Sequence, residues 1–261
     1  MQSFRFLNHT DLLRIKKEEM FQMYRTKDLG TSFKNYFEIV PAYTDELKTE
    51  AYKIRHQVYC EDLKFEPTRP DKIESDEYDA DALHLLIRNI HTKEFVGCTR
   101  IVYPQPANPH ALLPIEKTCS SVLDRTIVDP QKVPRNSIAE VSRLAVIAKY
   151  RRRKGENNSA CTITDNDFDA LKLPRFPYIP IGLYLGSIEL ARVYKIKTLF
   201  ILTEERLANH FNKLGFGLKF IGDPINHRGE RLPSMISIQG VINGCLGGCA
   251  LFFIGLPFRV S

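Results

Sequence analysis

The chain has 261 residues, 43% of them apolar and 26% charged, so core material is not lacking and a chain that stays unfolded for want of it is excluded. Its formal charge of +6 and pI near 8.9 are mildly basic. They suit an acidic partner without choosing among nucleic acid, anionic lipid, a phosphorylated cofactor and an acidic carrier protein. The six cysteines include no CxxC pair and no His–Cys set with zinc spacing, so they read as reduced thiols of a cytoplasmic protein, with no metal site expected.

Residues 1–16 are polar and broken by charges, unlike a secretory leader. An apolar pattern at helical spacing over 8–24 predicts a helix within an N-terminal extension, 1–35. Residues 37–40 (FEIV) read as a strand. Thr44-Asp45-Glu46-Leu47 then reads as an N-cap with early acids, opening a helix to about Leu63. The polar stretch 64–81 (KFEPTRPDKIESDEYDAD) is too long for a plain connection, and such loops often carry function. Residues 82–89 and 94–103 predict a hairpin turning at 90–93. The proline-rich 104–137 predicts an irregular excursion with one short helix, and 138–147 a strand. A polar insertion over 151–181 precedes an amphipathic helix at 182–194, a strand at 198–203, a helix at 204–214 stopped by Gly215, and a strand at 216–221. This order belongs to an α+β or α/β domain around one mixed sheet, placed over 36–231.

Residues 232–258 carry no charge, and 247–258 (GGCALFFIGLPF) are strongly apolar. Gly240, Gly244 and Gly248 recur every four residues, which would give a helix one face of small residues. The expectation for 232–261 is an apolar C-terminal element packed on the domain. A peripheral membrane contact is its alternative.

Charged residues set in apolar strands need partners, so they form either structural ion pairs or a site. Glu140 and Arg143 are such residues in AEVSRLAVIA. By strict alternation Glu140 and Ser142 face one way and Arg143 the other. Each charge then needs a partner elsewhere, among Asp76, Asp79, Arg55 and Arg100. His84 reads as a half-buried, satisfied histidine. Phe200, Phe211, Phe216, Leu183 and Leu185 read as core or as the wall of an apolar tunnel.

The order of elements resembles the GNAT N-acyltransferase fold, an α+β (α/β sandwich) with a central mixed, mostly antiparallel, splayed sheet flanked by helices. The phrase NHFNKLGFGLKFIG at 209–222 carries part of that resemblance. Arg55-His-Gln-Val-Tyr59 followed by Phe65, then Asp76-Glu-Tyr-Asp79, Gly97-Cys-Thr-Arg100 and Glu140-Val-Ser142-Arg143 carry the rest. In that order and spacing they resemble the acyl-homoserine-lactone synthase branch and its relatives, the N-acyl amino acid synthases. The inserts and the stretch YKIRHQVYCEDLKFEP are most like the PEP-CTERM/exosortase-associated acyltransferases.

The resemblance implies an acyltransferase that holds an acyl-phosphopantetheine arm between splayed strands and keeps no permanent cofactor. Glu140, Arg100, Arg143 and Ser142 would be catalytic. Arg55, Tyr59, Phe65, Asp76 and Asp79 would bind a small amine such as an amino acid. Backbone amides at Leu144, Ala145 and Val146, the basic run Arg151, Arg152, Arg153 and Lys154, and Asn209 and Phe211 would hold the donor. The run lacks the glycine-rich cradle that other members offer coenzyme A, so acyl carrier protein is the expected donor. Its acidic surface would dock on Arg and Lys. No nucleic-acid recognition motif accompanies the charge. Direct transfer needs no acyl-cysteine on Cys60 or Cys98. Two other readings are a lactone (autoinducer) synthase using S-adenosylmethionine, and a non-catalytic module binding acyl carrier protein or a membrane surface.

Overall fold

A computed structural model describes residues 33–151 and 178–244. The helix expected at 8–24, most of the 151–181 insertion and the apolar tail from 245 lie outside these residues. An eight-stranded sheet runs in the order β1 (Phe37–Pro41), β2 (Leu83–Asn89), β3 (Phe95–Val102), β4 (Ile138–Val146), β5 (Thr198–Thr203), β8 (Glu230–Ser237), β6 (Lys219–Phe220), with β7 (Ile225–Asn226) paired to β8. All pairings are antiparallel except β4 with β5.

Strand β1 (Phe37–Pro41) buries Phe37 and Ile39. Helix α1 (Asp45–Arg55) starts where Thr44 Oγ1 accepts from Leu47 N at 3.4 Å, with acids in its first turn and cations in its last. The chain then widens into a π-helical segment, His56–Asp62, that buries His56, Val58, Tyr59 and Cys60. Such wide turns recur at functional sites. Strands β2 (Leu83–Asn89) and β3 (Phe95–Val102) form the expected hairpin. Both are buried along nearly their whole length because helices cover the two faces. Cys98 Sγ meets the Ala51 carbonyl of α1 at 3.6 Å, while Gly97, on the other face, lies against Ile179 and Leu183 of the helix Tyr178–Val193.

Helix α4 (Tyr178–Val193) is not amphipathic as expected: Ile179 to Ala191 is buried throughout. It lies in the sheet's cover layer, and its two glycines allow close approach, Gly182 to Phe33 and Gly186 to Ile39. Its one acid, Glu189, is paired with Arg192 at 2.7 Å. The 104–137 excursion contains the short helix α2 (Pro114–Thr118). With Phe200 and Ile221 it builds a second small core from Leu113, Ile115, Cys119 and Leu123.

Strand β4 (Ile138–Val146) leads to a four-residue helix, α3 (Ala148–Arg151). Strand β5 (Thr198–Thr203) and helix α5 (Glu205–Lys213) stand as expected. The strand expected over 216–221 shrinks to β6 (Lys219–Phe220), followed by β7 (Ile225–Asn226). The C-terminal expectation needs correction. Residues 232–237 belong to β8 (Glu230–Ser237), inserted between β5 and β6, and only Ile238–Gly244 is helical (α6). The run of uncharged residues hid a strand in which Pro233, Ser234 and Ile236 are all buried, so that no regular polar alternation marks it. The glycine spacing does mark a close approach, since Gly244 lies against the Gly215 backbone.

Gly222, bridged to Leu123, joins the excursion to the sheet, and a Cβ there would overlap the Val122 carbonyl. Gly222→Ala is therefore expected to cost about 1–3 kcal/mol, measured as a lowered denaturation midpoint with an unchanged slope in urea.

Candidate active site

Val141 and Ile201 are the last residues at which β4 and β5 pair. Beyond them the strands part, and a cleft of about 440 Å³ opens between Ser142–Leu144 on one side and Leu202–Glu204 on the other. Tyr184, Tyr59 and Phe65 contribute to its walls. This is the splay the resemblance implies. Parting strands leave backbone groups without sheet partners, which suits an extended ligand laid along the strand.

A β-bulge shapes the β4 wall. Cys98 stands opposite Ala145 and Arg100 opposite Ser142, so Thr99 faces both Arg143 and Leu144. Arg143 takes φ +54° there. The bulge overturns strict alternation. Ser142 Oγ accepts from Arg100 Nε at 3.3 Å, and Arg143 Nη2 reaches Asp76 Oδ2 at 2.8 Å, so both join one cluster.

That cluster alternates in sign. Arg55, 1% exposed at the end of α1, forks onto Asp79 Oδ1 and Oδ2 at 2.6 and 2.9 Å, and its Nε donates to Glu74. Arg100 Nη1 donates to Asp79 Oδ1 at 2.8 Å and to Asp76 Oδ1 at 2.5 Å. Arg143 completes the chain, on Asp76 and 3.5 Å from Glu74. The D-x-x-D loop is tied to itself, Asp76 N donating to Asp79 Oδ2 at 2.7 Å and Tyr78 N to Asp76 Oδ1 at 3.0 Å. Burial acts to raise the carboxyl of Asp79, but the fork from Arg55 and the charge of Arg100 hold it well below the usual range. Asp76 is lowered in the same way, burial opposing Arg100 and Arg143. His84 is fully buried rather than half-buried. Desolvation pushes it down to about 4, and its Nε2 lies 3.3 Å from the Asp79 carbonyl.

Glu140 stands apart from this network at the closed end of the cleft. Its Oε2 accepts from Ile115 N at 2.6 Å, and among the described residues it forms no ion pair. Burial raises its carboxyl to about 7, against the Ile115 amide and the charges of Arg100 and Arg143. Such a group exchanges a proton near neutrality. The thiols do not: burial pushes Cys98 up to about 12 and Cys119 up to about 11. Tyr59 OH donates to the Leu144 carbonyl at 2.7 Å, and its ring stacks on Phe65 with centroids 6.5 Å apart.

Of the residues expected at the site, Glu140, Ser142, Arg143, Arg100, Tyr59, Phe65, Asp76 and Leu144 line the cleft. Arg55 and Asp79 are buried behind it. Ala145 and Val146 are buried and outside its lining. The expectation fails for two donor residues: Asn209 is exposed on α5, and Phe211 is core, 4.4 Å from the Tyr184 ring and 4.9 Å from Phe216. Phe200, Phe216, Leu183 and Leu185 are likewise packed core. Arg151 ends α3, and Arg152, Arg153 and Lys154 lie outside the described residues. The sequence reading missed Glu74, Tyr184, Arg228 and Arg231. Glu74 sits two residues before Asp76 and was open to the same reasoning. Arg228 reaches the cleft only through the β7–β8 turn, where it pairs with Glu66.

Two expected outcomes follow from these charges. Asp79→Asn leaves Arg55 and Arg100 buried without their shared negative charge, a loss of about 3–5 kcal/mol in equilibrium unfolding. Because Asp79 is depressed in the folded state, the wild type keeps this stabilisation above the unfolded value of ~3.9 and loses it as pH falls further. Glu140 has the opposite sign. Its raised folded value means stability declines as pH rises from about 4.5 toward about 7. Glu140→Gln is expected to be more stable than wild type at pH 8, by on the order of 2 kcal/mol, with the gap closing below pH 5. Chemical denaturation at the two pH values measures it.

Residues 54–158 match the model of the acetyltransferase (GNAT) domain family. No curated protein sequence matches the chain. Three solved structures share its architecture. TofI, crystallised in a ternary complex with an inhibitor and MTA, is 18% identical, with 82% of this chain and 98% of that chain covered at a TM-score of 0.55. BjaI, a CoA-dependent acyl-homoserine lactone synthase with SAM and isopentyl-CoA, is 17% identical, with 80% and 86% covered at 0.54. FeeM, an N-acyl amino acid synthase from uncultured soil microbes, is 12% identical, with 80% and 95% covered at 0.51. At these identities the likeness is one of fold. The strand order and the parting of β4 from β5 give this chain a GNAT-like fold, a mixed and mostly antiparallel sheet flanked by helices that it shares with these three structures, and residues 54–158 carry the match to the GNAT domain model.

Proposed function

We propose that the protein transfers a fatty acyl group from a phosphopantetheine thioester to the amine of an amino acid. The observation that carries this reading is the position of Glu140, at the closed end of the β4–β5 cleft and beside the charged wall of Asp76, Arg100 and Arg143. An amine must lose a proton to attack a thioester. A carboxylate poised near pH 7 accepts that proton directly or through one water. In the proposed step the nitrogen bonds to the acyl carbon and the C–S bond breaks. The thiolate leaves and takes up the proton relayed through Glu140. The Leu144 backbone, next to the bulge and beyond the last β4–β5 pair, is the proposed donor to the oxyanion. The Cys98 and Cys119 thiols are held protonated, which supports direct transfer without an acyl-enzyme on either.

Acyl carrier protein is the proposed donor in preference to coenzyme A, because Arg151 to Lys154 offers cations without a glycine-rich phosphate cradle. A second reading takes S-adenosylmethionine as the amine, with a lactone as product. It is favoured by the D-x-x-D carboxylates meeting Ser142 and Arg143 of the E-x-S-R motif in one network, and by the fold shared with TofI and BjaI.

The test incubates the protein with long-chain acyl carrier protein or acyl-CoA, each with an amino acid mixture or with S-adenosylmethionine, and follows products by mass spectrometry. N-acyl amino acids are expected, reduced ~100-fold or more by Glu140→Gln, within the range for general-base removal. A lactone product selects the second reading. Intact thioester with every amine would leave only a binding module and end the proposal.

A further inference from the structure

Glu140 takes its hydrogen bond from the 104–137 excursion, so something in that excursion must hold the donor still. Ile115, whose amide lies 2.6 Å from Glu140 Oε2, follows Pro114 at the start of α2. The turn around it is closed by Glu116, whose Oε2 accepts from Leu113 N at 2.8 Å. Glu116 is buried, and Arg135 grips both of its oxygens, Nη1 to Oε1 at 2.9 Å and Nη2 to Oε2 at 2.7 Å. Arg135 also donates to the carbonyls of Pro130, at 3.2 Å, and Ala111. One guanidinium thus binds three points of the excursion, and Arg135 is absent from the cleft lining.

We infer that Arg135 is a positioning residue for Glu140: by clamping Glu116 it fixes the turn from Leu113 to Glu116, and so keeps the Ile115 amide on the Glu140 carboxylate. The inference rests on the reading of Glu140 as the proton acceptor. The groups facing Glu140 are Arg100 from β3, Arg143 from β4 itself, and Glu116 and Cys119 from the excursion. Its partner on β5 is the apolar Phe200. Arg100 and Arg143 are held by Asp76 and Asp79 on the other side of the site. Loss of Arg135 therefore loosens the turn that carries the one amide donating to Glu140 and leaves both cations in place. It also unpairs the Glu116 carboxylate, a charge that Glu116→Gln removes, so a rise of Glu140 in both variants comes from the turn. A hydrogen bond to the ionised form favours that form, so its loss makes the carboxyl harder to ionise.

The test uses Arg135→Met, of similar length but without donors, beside Arg135→Lys and Glu116→Gln. Glu140 is titrated by carboxyl carbon NMR on protein labelled at glutamate, its signal assigned by its loss in Glu140→Gln. Acyl transfer is followed from pH 6 to 9. In Arg135→Met the Glu140 titration and the acid limb of the rate profile are expected to move up together by about one unit. At pH 6 the rate then falls ~tenfold and recovers at pH 9, with a smaller shift in Arg135→Lys. A folded Arg135→Met whose Glu140 titrates as in wild type, or whose rate falls by one factor at every pH, overturns the inference. If Arg135→Met does not fold, unchanged titrations in both Arg135→Lys and Glu116→Gln overturn it equally. If the wild type makes no acylated amine, the proposed function fails, while the NMR titration still decides whether Arg135 sets Glu140.

Discussion

The site depends on the chain of buried ions that runs from Glu74 through Arg55, Asp79, Arg100 and Asp76 to Arg143. Three guanidiniums and three carboxylates alternate, so the cluster is neutral as a whole and each charge lies against one of opposite sign. That condition lets charges stand inside a sheet protein, since an isolated buried ion is far too costly. It also dictates local backbone. The D-x-x-D loop is held by side-chain to backbone hydrogen bonds. The last turn of α1 must face inward to deliver Arg55, and β4 must bulge to deliver Arg143. A regular strand would carry the Arg143 guanidinium to the opposite face of the sheet.

The same bulge lies beside the place where β4 leaves β5. A strand that gains a residue twists more strongly, and here the parallel ladder ends at Val141–Ile201, immediately before it. The cleft and the ion network are thus two consequences of one irregularity. One wall is charged. The rest of the lining mixes the apolar Ile201, Leu202 and Leu207 and the ring of Tyr184 with the polar Glu204, His227, Arg228 and Arg231. Glu140 sits three residues before Arg143 of the bulge, deep enough to be desolvated and, among the described residues, without an ion pair. Burial raises its pKa, and the single amide that the excursion offers it, with the charges of Arg100 and Arg143, only partly offsets the rise.

The protein brings two cores to this point. The main core lies between the sheet and helices α1 and α4. The smaller one is organised by the excursion over the far side of β4 and β5. Glu140 lies where the two meet, so a segment without regular periodicity takes part in setting the charge of the residue at the centre of the proposed chemistry. No helix among the described residues is long and apolar enough to cross a membrane.

Much of this was legible in the residues. The Thr44 cap, the hairpin around 90–93, the strands at 138–146 and 198–203 and the α5 helix follow local rules of capping, alternation and apolar runs. The four motifs named most of the residues that the fold gathers. Less legible was anything resting on contacts distant in sequence. An uncharged run hid β8, because Pro233, Ser234 and Ile236 are all buried and leave no regular polar alternation, and α4 lost its amphipathic pattern for the same reason of burial. Strict alternation assigned Arg143 to the wrong face, since a bulge is set by the pairing of two strands rather than by one. The sequence by itself determined which charges must find partners and which elements would carry them. Tertiary structure alone decided the pairing, with Arg55 and Arg100 sharing Asp79 while Glu140 is left to a single backbone amide, because the stability of a buried charge is set by the groups that surround it in space.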